Sequence, residues 1–427
     1  MAISPGVDVT SEHEVTADGA PVSRTRMIVV LGALVALGPL TLDLYLPALP
    51  RITEELSVTS SVTQLTLTGT LAGLAFGQLI VGPLSDSLGR RKPLIVGIVL
   101  HMLASVVCLL APNITVLGIG RVLQGIGASA AMVVAIAVVG DLFADSAAAT
   151  VLSRLMLVLG VAPVVAPSLG AAVLLHASWH WVFGVLVVLA GGLLMVAALA
   201  LPETLAPSHR RPLRLDAVAS TYVELLRDAR FVILVLVAGL AMSGLFAYIS
   251  GASFVLQGSY GLDQQVFAIV FGAGAITFIT ASQANVVLLK RFSPQIIVLW
   301  ALAGAVVAGA TFVGLALAHV GGLPGFLLPV WSILAAMGLV IPNAPAMALS
   351  RHPDAAGTAA ALLGAAQFGI GAAVAPLVGV LGNTELALAA VMTTGAVVAL
   401  LALVTVIRRT EAAPASSGRV VPPCACP

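Results

Sequence analysis

Asp43 and Arg121 are the acid and the Lys/Arg residue that fall inside long apolar stretches rather than in the connections between them. Asp43 lies in "GPLTLDLYLPALP" (Gly38–Pro50), in an apolar run that begins at Met27. A carboxylate in hydrocarbon surroundings is costly, and a proton removes the charge and that cost. The chemistry open to Asp43 is therefore reversible proton binding, linked to the conformation or occupancy of its surroundings. Pro39, Pro47 and Pro50 bracket Asp43 and Tyr45 and read as devices that bend the helix. Arg121 opens "RVLQGIGASAA" (Arg121–Ala131). A guanidinium inside a membrane costs about 2.5–3.5 kcal/mol on insertion scales, so it needs a partner or a water-filled cavity. Snorkelling to an interface is the alternative, since Arg121 stands near one end of its apolar stretch. Gln124 follows one helical turn later on the same face. Gly125, Gly127, Ala128 and Ser129 form a smooth strip for helix packing.

The surrounding elements follow from composition. Of 427 residues, 60% are hydrophobic and 9% charged, with mean hydropathy +1.12. Such a chain cannot supply the charged surface of a soluble protein of this length, but it suits a polytopic membrane protein. The net charge of +1 gives no basic excess for nucleic acid. Cys108, Cys424 and Cys426 make no disulfide framework.

An apolar helix of about 20 residues crosses a bilayer. The pattern predicts such spans at 27–49, 62–84, 93–112, 115–139, 153–175, 181–201, 231–256, 265–288, 294–317, 324–348, 357–381 and 385–407. Lys and Arg test this division. Alternate connections carry Arg24 and Arg26; Arg90, Arg91 and Lys92; Arg154; Arg210, Arg211, Arg214, Arg227 and Arg230; Lys290 and Arg291; Arg351; and Arg408, Arg409 and Arg419. All the bases but Arg51 and Arg121 thus fall on one side, which puts both termini in the cytoplasm. The expected organisation is a disordered leader at 1–26, a six-helix half at 27–201, a cytoplasmic linker at 202–230, a second half at 231–407 and a disordered tail at 408–427.

The halves are related. "GVAPVVAPSLG" (Gly160–Gly170) aligns with "GIGAAVAPLVG" (Gly369–Gly379), and Tyr45 aligns with Tyr248. The loop "GPLSDSLGRRK" (Gly82–Lys92) has a worn counterpart in "NVVLLKRFSPQ". In the first loop Gly82 and Gly89 allow close approach and a tight turn. Asp86 can accept from a helix N-terminus, and Arg90 and Arg91 can pair with an acid such as Asp141 at the end of span 4. A generic positive-inside loop is the plainer reading of the same charges. In span 5, Pro163 and Pro167 remove backbone donors, and Gly160 and Gly170 permit tight packing.

These motifs resemble those of the major facilitator superfamily. G-x-L-x-D-x-x-G-R-R-K is similar to its signature loop, and R-x-x-Q-G-x-G to the span-4 motif of proton-coupled exporters. "GVAPVVAPSLG" is similar to the antiporter motif, with Ala166 where the usual pattern has glycine. "LDLYLPALP", "GLFAYISGASFVLQGSYGL" (Gly244–Leu262) and "GLVIPNAPAMALSRHPDAAGTAAALLGAAQFGIGA" (Gly338–Ala372) resemble the Bcr/CflA drug-resistance branch. The resemblance covers nearly the whole chain except its tails. It implies an all-α major facilitator fold with 12 transmembrane helices in two six-helix halves. It also implies proton-coupled export of small amphipathic drugs, chloramphenicol- or bicyclomycin-like, by a monomer in the bacterial cytoplasmic membrane. Asp43 and Arg121 would couple protons, and Gly82, Asp86, Gly89, Arg90, Arg91 and Asp141 would gate the cytoplasmic side. A cavity lined by Asp43, Tyr45, Gln124, Phe246, Tyr248 and Phe254 would take the substrate. An exporter of an endogenous metabolite or amino-acid derivative is the alternative on this fold, and a non-transporting sensor a further one.

No G-x-x-x-x-G-K-[ST] loop is present, which argues against ATP as the energy source. No metal-ligand cluster or nucleophile–base pair has convincing spacing, so no cofactor and no enzymatic activity are expected. His101 reads as a neutral histidine bonded to a neighbouring helix, or as a proton relay. Gln283 and Asn285 read as interhelical hydrogen bonds.

Overall fold

The computed structural model describes residues 14–15, 21–22, 24–143, 145–210, 215–352 and 355–411. The tail beyond 411 and most of the leader lie outside the described residues. In the leader, β1 (Glu14–Val15) pairs antiparallel with β2 (Pro21–Val22). The other regular elements among the described residues are helices. Among the described residues, twelve helices are long and apolar enough to cross a membrane.

The first half consists of α1 (Arg24–Asp43) with its continuation α2 (Leu49–Glu55), α3 (Ser60–Leu88), α4 (Arg91–Leu109), α5 (Ile114–Leu142), α6 (Asp145–His176) and α7 (His180–Ala200). The linker contains a helix absent from the sequence expectation, α8 (Leu215–Arg227). The second half consists of α9 (Ala229–Phe254), α10 (Gln264–Leu288), α11 (Pro294–Ala318), α12 (Gly322–Leu349), α13 (Ala356–Val380) and α14 (Glu385–Glu411). Side chains start several of them. Thr59 accepts from Val62 N, Asn113 from Val116 N and Asp263 from Val266 N, each satisfying an otherwise unpaired amide of a first turn.

Helices overrun the expected spans on the basic face. Most of "GPLSDSLGRRK" is the last turns of α3, and only Gly89 and Arg90 separate α3 from α4. Gly89 has φ +91°, a backbone that favours glycine, and ends α3. Gly82 has no neighbour where a side chain would stand, so the close approach expected there is not made.

Within the first half α5 is sandwiched by glycine. A side chain at Gly125 would meet the Thr70 carbonyl of α3, and one at Gly127 the Gly97 carbonyl and His101 of α4. The two halves meet along α6–α10 and α3–α13. Gly160 closes on Ile279, and Gly369 lies against Ala75. These are aligned positions of the internal repeat, each facing the other half, as a pseudo-twofold requires. Pro163 and Pro167 leave α6 unbroken. Gly170 lets α6 close on the Leu44 carbonyl, where the first span is broken.

Candidate functional site

The first span breaks immediately after Asp43. Pro39 is accommodated inside α1, but Pro47 has no N–H to offer the Asp43 carbonyl, and Pro50 has none for Leu46. The chain turns through Leu44 and Tyr45 and forms a short 3₁₀ turn, Leu46–Ala48, before α2. Asp43 is thus the last residue of α1. It is 2% exposed. Its Oδ1 has no hydrogen-bond partner, and it makes no ion pair among the described residues.

Arg121 is fully buried, which rules out snorkelling. Its Nη1 donates to the Thr41 carbonyl at 2.9 Å and to Gln124 Oε1 at 2.9 Å. Its Cζ stands 4.0 Å from the Tyr45 ring centroid and 5.8 Å from that of Phe183. Nε and Nη2 have no partner. The arginine is therefore held by aromatic faces and by the backbone two residues before Asp43, not by the carboxylate. Gln124 Nε2 donates to Ser105 Oγ at 2.7 Å, and Tyr45 Oη meets Thr66 Oγ1 at 3.4 Å. His101 Nε2 lies 2.8 Å from Thr41 Oγ1, the bond to a neighbouring helix expected of a neutral histidine.

Sequence placed Gln124 and Phe246 in a substrate cavity. The structure takes up both inside their own halves. The Gln124 amide is committed to Arg121 and Ser105, and the Phe246 ring packs over Gly371 and 5.9 Å from the ring of Phe368. Tyr248 is buried and stacks on Phe271 at 5.1 Å, while Phe254 is half-buried at the end of α9. Asn285 bonds Asn343 across α10–α12 at 2.7 Å, as expected, whereas Gln283 is exposed and makes no such bond.

On the basic face Arg90 gathers the helix ends. Nε and Nη2 hold Asp141 at 2.8 and 3.1 Å, and Nη1 reaches Ser85 Oγ at 3.0 Å and Asp86. Asp86 therefore serves Arg90 rather than a helix N-terminus. Among the described residues the Arg91 side chain pairs with no acid and donates to the Ala198 carbonyl. Burial works against the Arg90 charge, but the bonds from Asp141 and Asp86 outweigh it and hold the guanidinium above its ordinary pKa. Sequence reading missed Glu203 and Thr204. Glu203 accepts from the amides of Arg90 and Arg91 at 2.8 and 3.3 Å, and Thr204 donates to Asp141 at 2.8 Å. The available signal was an acid just past Pro202, where span 6 ends beside the basic loop of span 3. The counterpart loop after α10 carries no such cluster. Instead Asp228, at the start of α9, holds Arg351 at 2.9 Å and His352 at 3.1 Å. Burial there opposes the charge, yet bonds from Arg351 and the backbone of Phe231 and Arg230 keep the Asp228 carboxyl below its usual pKa.

Arg90→Ala strands Asp141 among partners that no longer neutralise it. Breaking a mostly buried pair costs about 3 kcal/mol or more. A fluorescence-detected melt of the detergent-solubilised variant is expected to show that loss, while Arg90→Lys recovers only part of it because one ammonium cannot match the fork.

The opposite face is closed by hydrogen bonds between the halves. Gln64 Nε2, on α3, donates to the Ser250 carbonyl at 3.0 Å and to Asn383 Oδ1 at 2.7 Å. Asn383 Nδ2 donates to Ser60 Oγ at 2.6 Å. Ser253 Oγ donates to the Leu46 carbonyl at 2.7 Å, and Gln257 Nε2 to the Pro47 carbonyl at 3.5 Å. Pro50 has no N–H for the Leu46 carbonyl, which accepts from Leu49 N and from Ser253 of the second half. At about 0.6 kcal/mol for each interhelical bond, the set favours closure by roughly 3 kcal/mol, a population bias on the order of 100-fold. Combining Gln64→Ala with Ser253→Ala should therefore add an open population. Spin labels at Ser57→Cys and Thr384→Cys, with the native cysteines replaced, would read it as a longer inter-half distance.

A bundle of two pseudo-equivalent six-helix halves, hydrogen-bonded together on one face, with an unpaired acid at the break of its first span, defines a polytopic membrane transporter. The comparisons agree. The profile of the Major Facilitator Superfamily matches residues 31–376. The chain is 39% identical to the uncharacterized MFS-type transporter YdgK of Bacillus subtilis, covering 89% of this chain and 94% of that one. It is 32% identical to a bicyclomycin resistance protein homolog of Haemophilus influenzae, over 82% and 88% of the two chains. It is also 32% identical to a chloramphenicol resistance protein of Pseudomonas aeruginosa, over 80% of each. Among solved structures, a partially occluded inward open conformation of the xylose transporter XylE from E. coli superimposes with TM-score 0.65 at 14% identity, over 89% of this chain and 97% of that one, and shows the fold. The chain belongs to the Major Facilitator Superfamily. It is a transporter rather than an enzyme, and a multi-pass protein of the bacterial cell membrane.

Proposed function

We propose that this transporter exports small amphipathic compounds across the cytoplasmic membrane in exchange for protons, acting as a monomer. The observation that carries the reading is Asp43, a buried carboxyl with an unpartnered oxygen at the break of the first span. Binding a proton there neutralises it, and losing the proton creates a charge that the unpartnered Nε and Nη2 of Arg121 can answer. The charged and neutral forms therefore favour different arrangements of α1 and α5, which is the differential binding that alternating access needs. With the basic face cytoplasmic, the closed face is the outer one, and a substrate enters from the cytoplasm. The antibiotics named in two relatives, bicyclomycin and chloramphenicol, supply the substrate class.

Inverted vesicles holding an acid-inside gradient test the reading. Adding chloramphenicol should release protons from the lumen and accumulate drug, and overexpression should raise the drug concentration that cells survive. A gradient undisturbed by drug, with unchanged susceptibility, would sink the proposal.

A further inference from the structure

The internal repeat exposes a difference between the halves. In the first half the hydroxyl of Tyr45 meets Thr66 of α3, and its ring covers Arg121 of α5. The corresponding helices of the second half are α9, α10 and α12. There Tyr248 aligns with Tyr45 at an offset of 203, and α10 and α12 bring Gly274 and Trp331 beside it.

Here the tyrosine hydroxyl meets no hydroxyl of a neighbouring helix among the described residues. Tyr248 is 1% exposed and its hydroxyl has no hydrogen-bond partner, and the Trp331 Nε1 is likewise buried without one. Both atoms point at the same place: a Cβ on Gly274 would lie 3.1 Å from each. They are thus no more than about 6 Å apart, flanking the face of Gly274, where the missing side chain leaves the two donors close to the backbone of α10. Buried donors are nearly always satisfied, and leaving one unpaired is costly. Two that converge on one point call for a shared acceptor.

We infer that Tyr248 Oη–H and Trp331 Nε1–H form a subsite over Gly274 for an uncharged oxygen acceptor of the substrate, such as a carbonyl or nitro oxygen. The indole can only donate, so this side of the site selects acceptors and gives a cation no counter-charge. The stacked rings of Tyr248 and Phe271, 11° from parallel, add a flat apolar wall beside it. The subsite acts in transport only if the export reading holds, but its binding chemistry can be measured separately.

The test compares two probes on the purified full chain. Chloramphenicol carries nitro and amide oxygens, whereas tetraphenylphosphonium carries no oxygen at all. Tyr248→Phe keeps the stacked ring and removes only the hydroxyl. It is expected to weaken chloramphenicol binding about 5- to 10-fold, to leave tetraphenylphosphonium within about twofold and not to lower the melting temperature. Gly274→Ser, which returns a hydroxyl partner to the tyrosine, should weaken chloramphenicol selectively as well. Equal weakening of both probes, no change for chloramphenicol, or no chloramphenicol binding by the unsubstituted protein would overturn the subsite. Selective binding without drug-driven proton release in vesicles would instead overturn the export reading and leave the subsite standing.

Discussion

Asp43→Asn is expected to reduce drug accumulation in energised inverted vesicles to the level of simple equilibration. One proton exchanged for a neutral drug draws about 2.3 kcal/mol from a 100 mV potential and about 1.36 from a pH unit. Together these sustain a concentration ratio of roughly 500-fold, and an amide that cannot release a proton sustains none. The substitution is nearly isosteric, and Asp43 makes no hydrogen bond or ion pair that it would break. Folding and drug binding should therefore survive, so that drug still equilibrates across the membrane without a gradient. Uphill accumulation retained by the asparagine variant would remove Asp43 from the coupling step.

Arg121→Met is expected to separate function from stability. The guanidinium is fully buried with two nitrogens unpartnered, and its removal relieves a charge-burial cost of about 2.5–3.5 kcal/mol. Against that stand the contact with the Tyr45 ring, about 2 kcal/mol when desolvated, and the bonds to Thr41 and Gln124. The terms nearly cancel, so the melting free energy should stay within about 2 kcal/mol of the parent. Proton-coupled transport should nonetheless disappear, because an apolar thioether cannot answer the charge on Asp43. Arg121→Lys keeps a cation but loses the planar fork, and partial activity is expected of it. A methionine variant that fails to fold would make Arg121 a structural residue.

Much of this architecture could be read in advance. Apolar length and the one-sided placement of Lys and Arg place all twelve spans, because lipid leaves helices few alternatives. Asp43 and Arg121 stood out because charge is rare in such segments, and the Arg90–Asp141 pair because both residues end spans on the same face. Contacts between distant residues could not be read. Gln64 and Asn383 are separated by 319 positions and look like ordinary polar residues near helix ends. Nothing in the spacing of Arg121 shows that its guanidinium rests on the Tyr45 ring rather than on Asp43. The packing of Phe246 over Gly371 could not be read either, because an aromatic on a central helix can face a cavity or fill the gap left by a glycine. That the Tyr248 hydroxyl lacks a partner such as Tyr45 finds in Thr66 depends on a contact between helices that spacing does not carry.

The break in the first span also fixes how far a signal must travel. Asp43 and Leu46, whose carbonyl is held by Ser253 of the other half, are three residues apart along one chain. Fully extended, that is about 10 Å. Under the proposed proton coupling, a change at the first residue reaches the contact at the second through peptide bonds alone. On that reading the coupling needs no relay of side chains between Asp43 and the Ser253 bond.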